Sequence, residues 1–261
     1  MRRCRVLHSY ALLIALWCSA SSAQTLLGGG AQWHPYSFED ADGQATGIAV
    51  DIVRKVMKQS GLQVEFVFYP ANRLNLLLDE GHLDLNYADS PQWNSANASE
   101  RFVYSQPYLH VREYLYFLKD HPARQLSLGE LQGLRIGIVR GYTYQTLDAP
   151  LRDKRLMKVE TSREPALLDL LMLGRVDAIA VVDDVFTDLL SARHLEPGRF
   201  ARGAKLSEAP LVIKLQRQHA DRLPELNTAL EGLVRSGEVE RIRRSYLVNQ
   251  TAKPAKKSAD R

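Results

Sequence analysis

Beyond its first 23 residues this 261-residue chain has no cysteine, because the two it carries are Cys4 and Cys18. A disulfide, a thiolate metal site and a cysteine nucleophile are thereby excluded for residues 24–261, and stability has to come from a packed core. The same stretch holds no apolar run of membrane-spanning length. Its histidines, seven in the whole chain including His8, form no H-x-x-x-H pattern flanked by carboxylates, so no metal site is expected. There is no nucleophile elbow and no Gly-rich phosphate loop, and nothing calls for a cofactor. Strong charge of either sign is also missing. Of the formal +4, Arg2, Arg3 and Arg5 contribute three and the tail 252–261 three more, leaving −2 for residues 24–251. A nearly neutral body with scattered charge argues against nucleic-acid binding.

What the ends do contain is informative. Arg2, Arg3 and Arg5, then the apolar stretch from Tyr10 to Trp17, then Ser21-Ser22-Ala23, read as a secretory signal peptide cleaved after Ala23. That order predicts a periplasmic product. Trp17 before Cys18 argues against a lipoprotein signal. The Pro-, Ala- and Lys-rich residues 251–261 have nothing to bury and are expected to form a disordered basic tail.

One stretch organises the rest: Trp33-His34-Pro35-Tyr36-Ser37-Phe38-Glu39-Asp40, followed by Asp42-Gly43, Gly47 and Asp51. It reads as a strand end opening into an aromatic loop ahead of an amphipathic helix. Ligands sit at such strand ends in α/β folds, so Trp33 and Tyr36 are candidate pocket walls, with packing of the loop on its own domain as the alternative.

A repeat then divides the chain. Leu74-Asn-Leu-Leu-Leu-Asp-Glu-Gly81-His-Leu-Asp84-Leu-Asn-Tyr-Ala-Asp89 is matched by Ala166-Leu-Leu-Asp-Leu-Leu-Met-Leu-Gly174-Arg-Val-Asp177-Ala-Ile-Ala-Val-Val-Asp183. Each copy is a Leu-rich helix, a capping Gly, a Gly-x-apolar-Asp turn, a short strand and a terminal Asp. Two such units predict two similar α/β lobes. Lobe one takes residues 24–110 and a return segment 209–250 with closing helices, and lobe two takes 111–208. Within each, strands and helices alternate in the manner of a mostly parallel sheet. The extended runs at 111–118 and 209–214 cross between the lobes, which implies a hinge with a cleft beneath it.

In that order the motifs resemble the extracellular solute-binding proteins that include bacterial histidine-, glutamine- and lysine/arginine/ornithine-binding proteins, the receptors of ABC importers. The resemblance covers residues 25–250. Its carriers are Pro35-Tyr36-x-Phe38 with Asp42-Gly43, Gly47 and Asp51, then Gly81-x-Leu-Asp84, Tyr104-Ser105-Gln-Pro107-Tyr108, Leu131-x-Gly133-x-Arg-Ile-Gly137, Gly141-x-Thr143, Gly174-Arg-Val-Asp177-Ala178, and Leu226-Asn227-x-Ala229-Leu230 with Gly237. It implies an α/β, two-lobed type II periplasmic-binding-protein fold, with two mixed sheets flanked by helices and a hinge of two crossover strands. It also implies a monomer that closes around a small polar ligand (an amino acid, an amine or a related compound) and delivers it to an ABC permease, or reports it to a membrane sensor.

The family's site positions fall on Trp33, whose aromatic face would stack on the ligand, and on the Gly141-Tyr142-Thr143 turn, which would cradle an anion unless Thr143 is an ordinary helix cap. Two positions depart. Where relatives place the carboxylate-binding Arg, seven residues before Ser105, this chain has Ala98. Where they place an acid, eight after Gly174, it has Val182, and a one-residue bulge would be needed to present Asp183 instead. Arg73 is a further candidate anion partner, and Asp89 a candidate cation partner or a turn former. No catalytic residue is assigned. A periplasmic dehydratase on this scaffold is the competing enzyme reading, with Glu39, Asp89, Asp183 and His34 as its acid–base candidates.

Overall fold

The computed structural model describes residues 25–248, so the leader, the cleavage point and the tail lie outside the described residues. In chain order the elements are β1 (Thr25–Gly30), β2 (Phe38–Glu39), β3 (Ala45–Thr46), α1 (Ile48–Gln59), β4 (Gln63–Phe68), α2 (Ala71–Asp79), β5 (Leu85–Asp89), β6 (Phe102–Tyr104) and β7 (Leu109–Leu118). There follow β8 (Leu134–Val139), α3 (Gln145–Arg152), β9 (Leu156–Thr161), α4 (Glu164–Met172), β10 (Ala178–Val182), α5 (Asp183–Ala192), β11 (Phe200–Gln216), α6 (Leu223–Arg235) and α7 (Glu238–Val248).

The two expected mixed sheets are the two ends of one nine-stranded sheet, ordered β4-β1-β5-β11-β7-β10-β8-β9 with β6 also on β11. At one end β4, β1 and β5 run parallel, and at the other β9, β8 and β10 do. The join is β11, which is longer than its sequence signal at 209–214. Over Phe200–Leu211 it pairs antiparallel with β7, and from Val212 it pairs with β5 and β6. Both crossing strands are therefore hydrogen-bonded to each other where the chain passes between halves.

The repeat seen in sequence is one local device used twice. Gly81 and Gly174 take φ of +75° and +64° and end their helices, a conformation open to glycine. The Asp three residues on then locks the first strand of its half reciprocally. Asp84 N–H donates to Leu27 O while its carboxylate accepts from Leu27 N–H at 2.8 Å, and Asp177 does the same with Arg135 at 2.7 Å. Helix α1 buries Ile48, Ile52, Val53, Val56 and Met57, a one-sided apolar stripe that seats it on the β1 end of the sheet.

The two halves touch at two faces. Near α7, Arg243 forks onto the Asp184 carboxylate at 2.8–3.1 Å, and Tyr36 Oη donates to the same group at 2.7 Å. Across the cleft, Thr143 Oγ1 donates to Trp93 O at 2.9 Å and the Gln145 amide donates to Gln92 O. Gly141 packs so closely on Asn72 that a Cβ there would lie 2.2 Å from Oδ1. The halves are closed on each other.

Candidate functional site

Between the halves lies a cavity of about 270 Å³. Its floor on one side comes from the ends of β1 and β5, with Ala31, Trp33, Asn86 and Asp89, and from α2, which shows it Ala71, Leu74, Asn75 and Asp79. The other side is lined by Gly141, Tyr142, Thr143, Glu164 and the end of β10, while Glu113 on β7 and Lys214 on β11 come from the crossing strands. This is the strand-end position that α/β sheets use for ligands.

Five of the eight residues singled out from sequence line the cavity: Trp33, Asp89, Gly141, Tyr142 and Thr143. Trp33 is 8 % exposed; Tyr36 stacks on it at 4.4 Å between centroids and Trp93 meets it edge-on at 6.2 Å. Tyr36 does not line the cavity. Its ring backs Trp33 and its hydroxyl is spent on Asp184; burial first, and then the Asp184 carboxylate, raise its pKa.

Thr143 neither caps α3 nor offers its hydroxyl to an anion, because that hydroxyl bonds Trp93 O across the cleft. Tyr142 lines the cavity and its Oη donates to Glu164 at 2.8 Å. Asp89 is buried, accepting from Ser90 N–H and Asn94 Nδ2 and paired with Lys214 Nζ at 3.3 Å.

Arg73 and Asp183 are not brought to the cavity. Arg73 is exposed, its guanidinium over the Tyr69 ring at 5.6 Å, because α2 faces the cavity with Ala71 and Asn75 and carries position 73 on another side. Asp183 opens α5, where it binds Tyr116 Oη and Arg202. The bulge that would have turned it inward is absent, since β10 runs in regular register with β7 through Val182. Of the acid–base candidates for an enzyme, only Asp89 reaches the cavity. Glu39 is exposed and bonded by Gln32, and His34 stacks on Phe38 at 3.9 Å.

The residues that sequence reasoning missed are Glu113, Glu164 and Lys214. Glu113 lies directly opposite Val182 in the β7–β10 register, and directly opposed residues share a face. Position 182 itself carries no carboxyl, and its cross-strand partner places one on the same face of the sheet, at the cavity. Burial raises the Glu113 carboxyl to about 7, with only a 3.4 Å hydrogen bond from Ser207 Oγ opposing the shift. Glu164, 5 % exposed at the start of α4, is also pushed up by burial, against the Tyr142 hydroxyl bond. A signal for Glu113 was present. It shares strand parity with Val111, Leu115 and Phe117, all buried, and a charge on a buried strand face calls for a partner.

The family model described as bacterial extracellular solute-binding proteins, family 3, matches residues 26–249. The chain belongs to this family. Among curated solute-binding relatives, a probable histidine-binding protein of Neisseria gonorrhoeae is 21 % identical over 228 residues, covering 87 % of this chain and 84 % of the relative. An ancestral arginine-binding protein bound to arginine superposes with a TM-score of 0.73 at 22 % identity, over 85 % of this chain and 97 % of its own. A histidine kinase sensor domain with similarity to periplasmic binding proteins does so at 0.74 and 22 %, over 87 % and 96 %. These likenesses establish the type II fold of this solute-binding chain. Among its described residues no helix is long and apolar enough to cross a membrane, and no group of three or more His, Cys, Asp or Glu is placed to hold a metal.

Proposed function

We propose that this chain is a periplasmic solute-binding protein that closes its two halves around a small, positively charged polar solute and presents it to an ABC importer. One observation carries the charge preference: the cavity between the halves holds Glu113 and Glu164, which pair with no basic side chain among the described residues. A cationic solute supplies what they lack, and Trp33 and Tyr142 offer it aromatic surface. The curated relative named for histidine and the solved one holding arginine agree with a cationic solute. The solute itself favours closure only through contacts that it makes with both halves at once. Here Trp33 stands on one half, Glu164 on the other and Glu113 on the strand between. The sensor-domain likeness supports a second reading in which the same clamp reports to a membrane partner. Acid–base catalysis has less support, because the candidate groups are dispersed.

The experiment is a thermal-shift screen against amino acids, amines, peptides and organic acids, since a tight ligand raises apparent stability by mass action. A stabilising cationic solute is expected. Its effect should be lost in Trp33→Ala, a variant that also starts from lower stability because Trp33 is buried against Tyr36. A panel in which nothing stabilises the chain refutes the reading.

A further inference from the structure

We infer that the solute is an amine or guanidine without a carboxylate, its positive charge received by the cavity carboxyls Glu113 and Glu164. This rests on the solute-binding reading and narrows its ligand class. The cavity and the family give the site, and the charges on its walls decide what fills it.

Four carboxyls line the cavity, on Asp79, Asp89, Glu113 and Glu164, against two cations, Arg101 and Lys214. Both cations are matched already. Arg101 pairs with Asp79 at 3.0 Å and lies over the Phe102 ring at 5.2 Å, largely exposed to water. Lys214 is more fully committed. Its Nζ donates to Asn94 Oδ1, pairs with the Asp89 carboxylate at 3.3 Å and stands 4.2 Å above the Phe102 ring, with the side chain 4 % exposed. Ala98, which lines the same wall, adds only a methyl. The Thr143 hydroxyl is bonded to Trp93 O.

What remains without a basic partner among the described residues is the pair of carboxyls Glu113 and Glu164. Glu113 and Glu164 line the same cavity, where Glu164 accepts from Tyr142 Oη at 2.8 Å and Glu113 from Ser207 Oγ at 3.4 Å. Burial has pushed both carboxyls toward the neutral form, as expected of acids awaiting a counter-charge. A ligand carboxylate lodged here would be a further anion on a wall where four carboxyls already outnumber two cations, each of which faces a carboxylate. An ammonium or guanidinium without one leaves no charge unmatched.

The test is calorimetric titration of the purified secreted chain with matched pairs that differ by the carboxylate: agmatine and arginine, putrescine and ornithine, histamine and histidine. At least one amine should bind ten-fold or more tightly than its amino acid. Glu113→Gln and Glu164→Gln should each weaken it ten-fold or more. If either variant fails to fold, the paired comparison on the unaltered chain decides alone. An amino acid that binds as tightly as its amine overturns the inference and leaves the solute-binding reading intact. So does a stabilising solute from another class when none of the three amines binds. Only a blank across the whole solute panel removes both.

Discussion

Replacing Glu113 by Gln should make the empty protein more stable and the binding worse, and the size of the first effect follows from the site. Burial lifts this carboxyl from the ordinary 4.5 to about 7. A folded-state pKa above the unfolded one means that the stability tied to the proton is complete below about pH 4.5 and is lost as pH rises through 7. At 1.36 kcal/mol per pKa unit the whole loss is about 3 kcal/mol, of which about 2–3 kcal/mol falls between pH 5 and pH 8. Gln keeps the shape and an oxygen for the Ser207 hydroxyl but cannot ionise. Urea unfolding of parent and variant at pH 5, 6, 7 and 8 should show curves that nearly coincide at pH 5 and diverge toward pH 8, with the variant ahead. Equal stabilities at pH 8, or a variant that is weaker throughout, would show that the carboxyl is solvated or paired and would remove the basis for a cation site.

Other consequences are open to measurement. Because the solute cation binds the carboxylate form, affinity should rise by up to ten-fold per pH unit between pH 6 and 7, with proton release seen as a buffer-dependent heat of binding; a flat pH profile speaks against Glu113 as the receiver. Arg243→Ala strips the fork from Asp184 and should lower stability by about 1–3 kcal/mol. A double-mutant cycle with Asp184→Asn tests the pair itself and should return a coupling of at least about 0.5 kcal/mol. Gly141→Ala puts a Cβ 2.2 Å from Asn72 Oδ1 at φ +87°. It should hold the cleft ajar and weaken binding ten-fold or more while each half stays folded, as amide exchange within β1 and β8 would reveal. Asp177→Ala removes the reciprocal lock on β8 and should cost about 2 kcal/mol in urea unfolding.

Much of the fold was legible because its signals are local. The Gly-x-apolar-Asp turns at 81–84 and 174–177 carry their own explanation: a left-handed Gly, then a carboxylate that returns to a neighbouring backbone N–H. The helices from 48, 164 and 223 could be read from apolar spacing alone. The site was legible only in part. Trp33 and the turn at 141–143 sit in loops whose chemistry is exposed in sequence. Glu113 and Lys214 sit on crossing strands, and their place in the cavity depends on register across partners 69 and 128 residues away, Val182 for the first and Asn86 for the second. Asp183 was misplaced for the same reason, since only the regular pairing of Val182 with Glu113 shows that no bulge intervenes. Tyr36 and Arg73 show a smaller limit. A loop aromatic and a helical Arg near a cleft were placed correctly along the chain, but side-chain direction depended on Asp184 and on the phase of α2.

Small-angle X-ray scattering of the chain with and without its stabilising solute tests the clamp most directly. With β7 and β11 as a paired tether and the cavity enclosed between the halves, saturation should lower the radius of gyration and sharpen the pair-distance distribution. Superimposable profiles at full occupancy, verified calorimetrically on the same sample, would contradict closure around the solute.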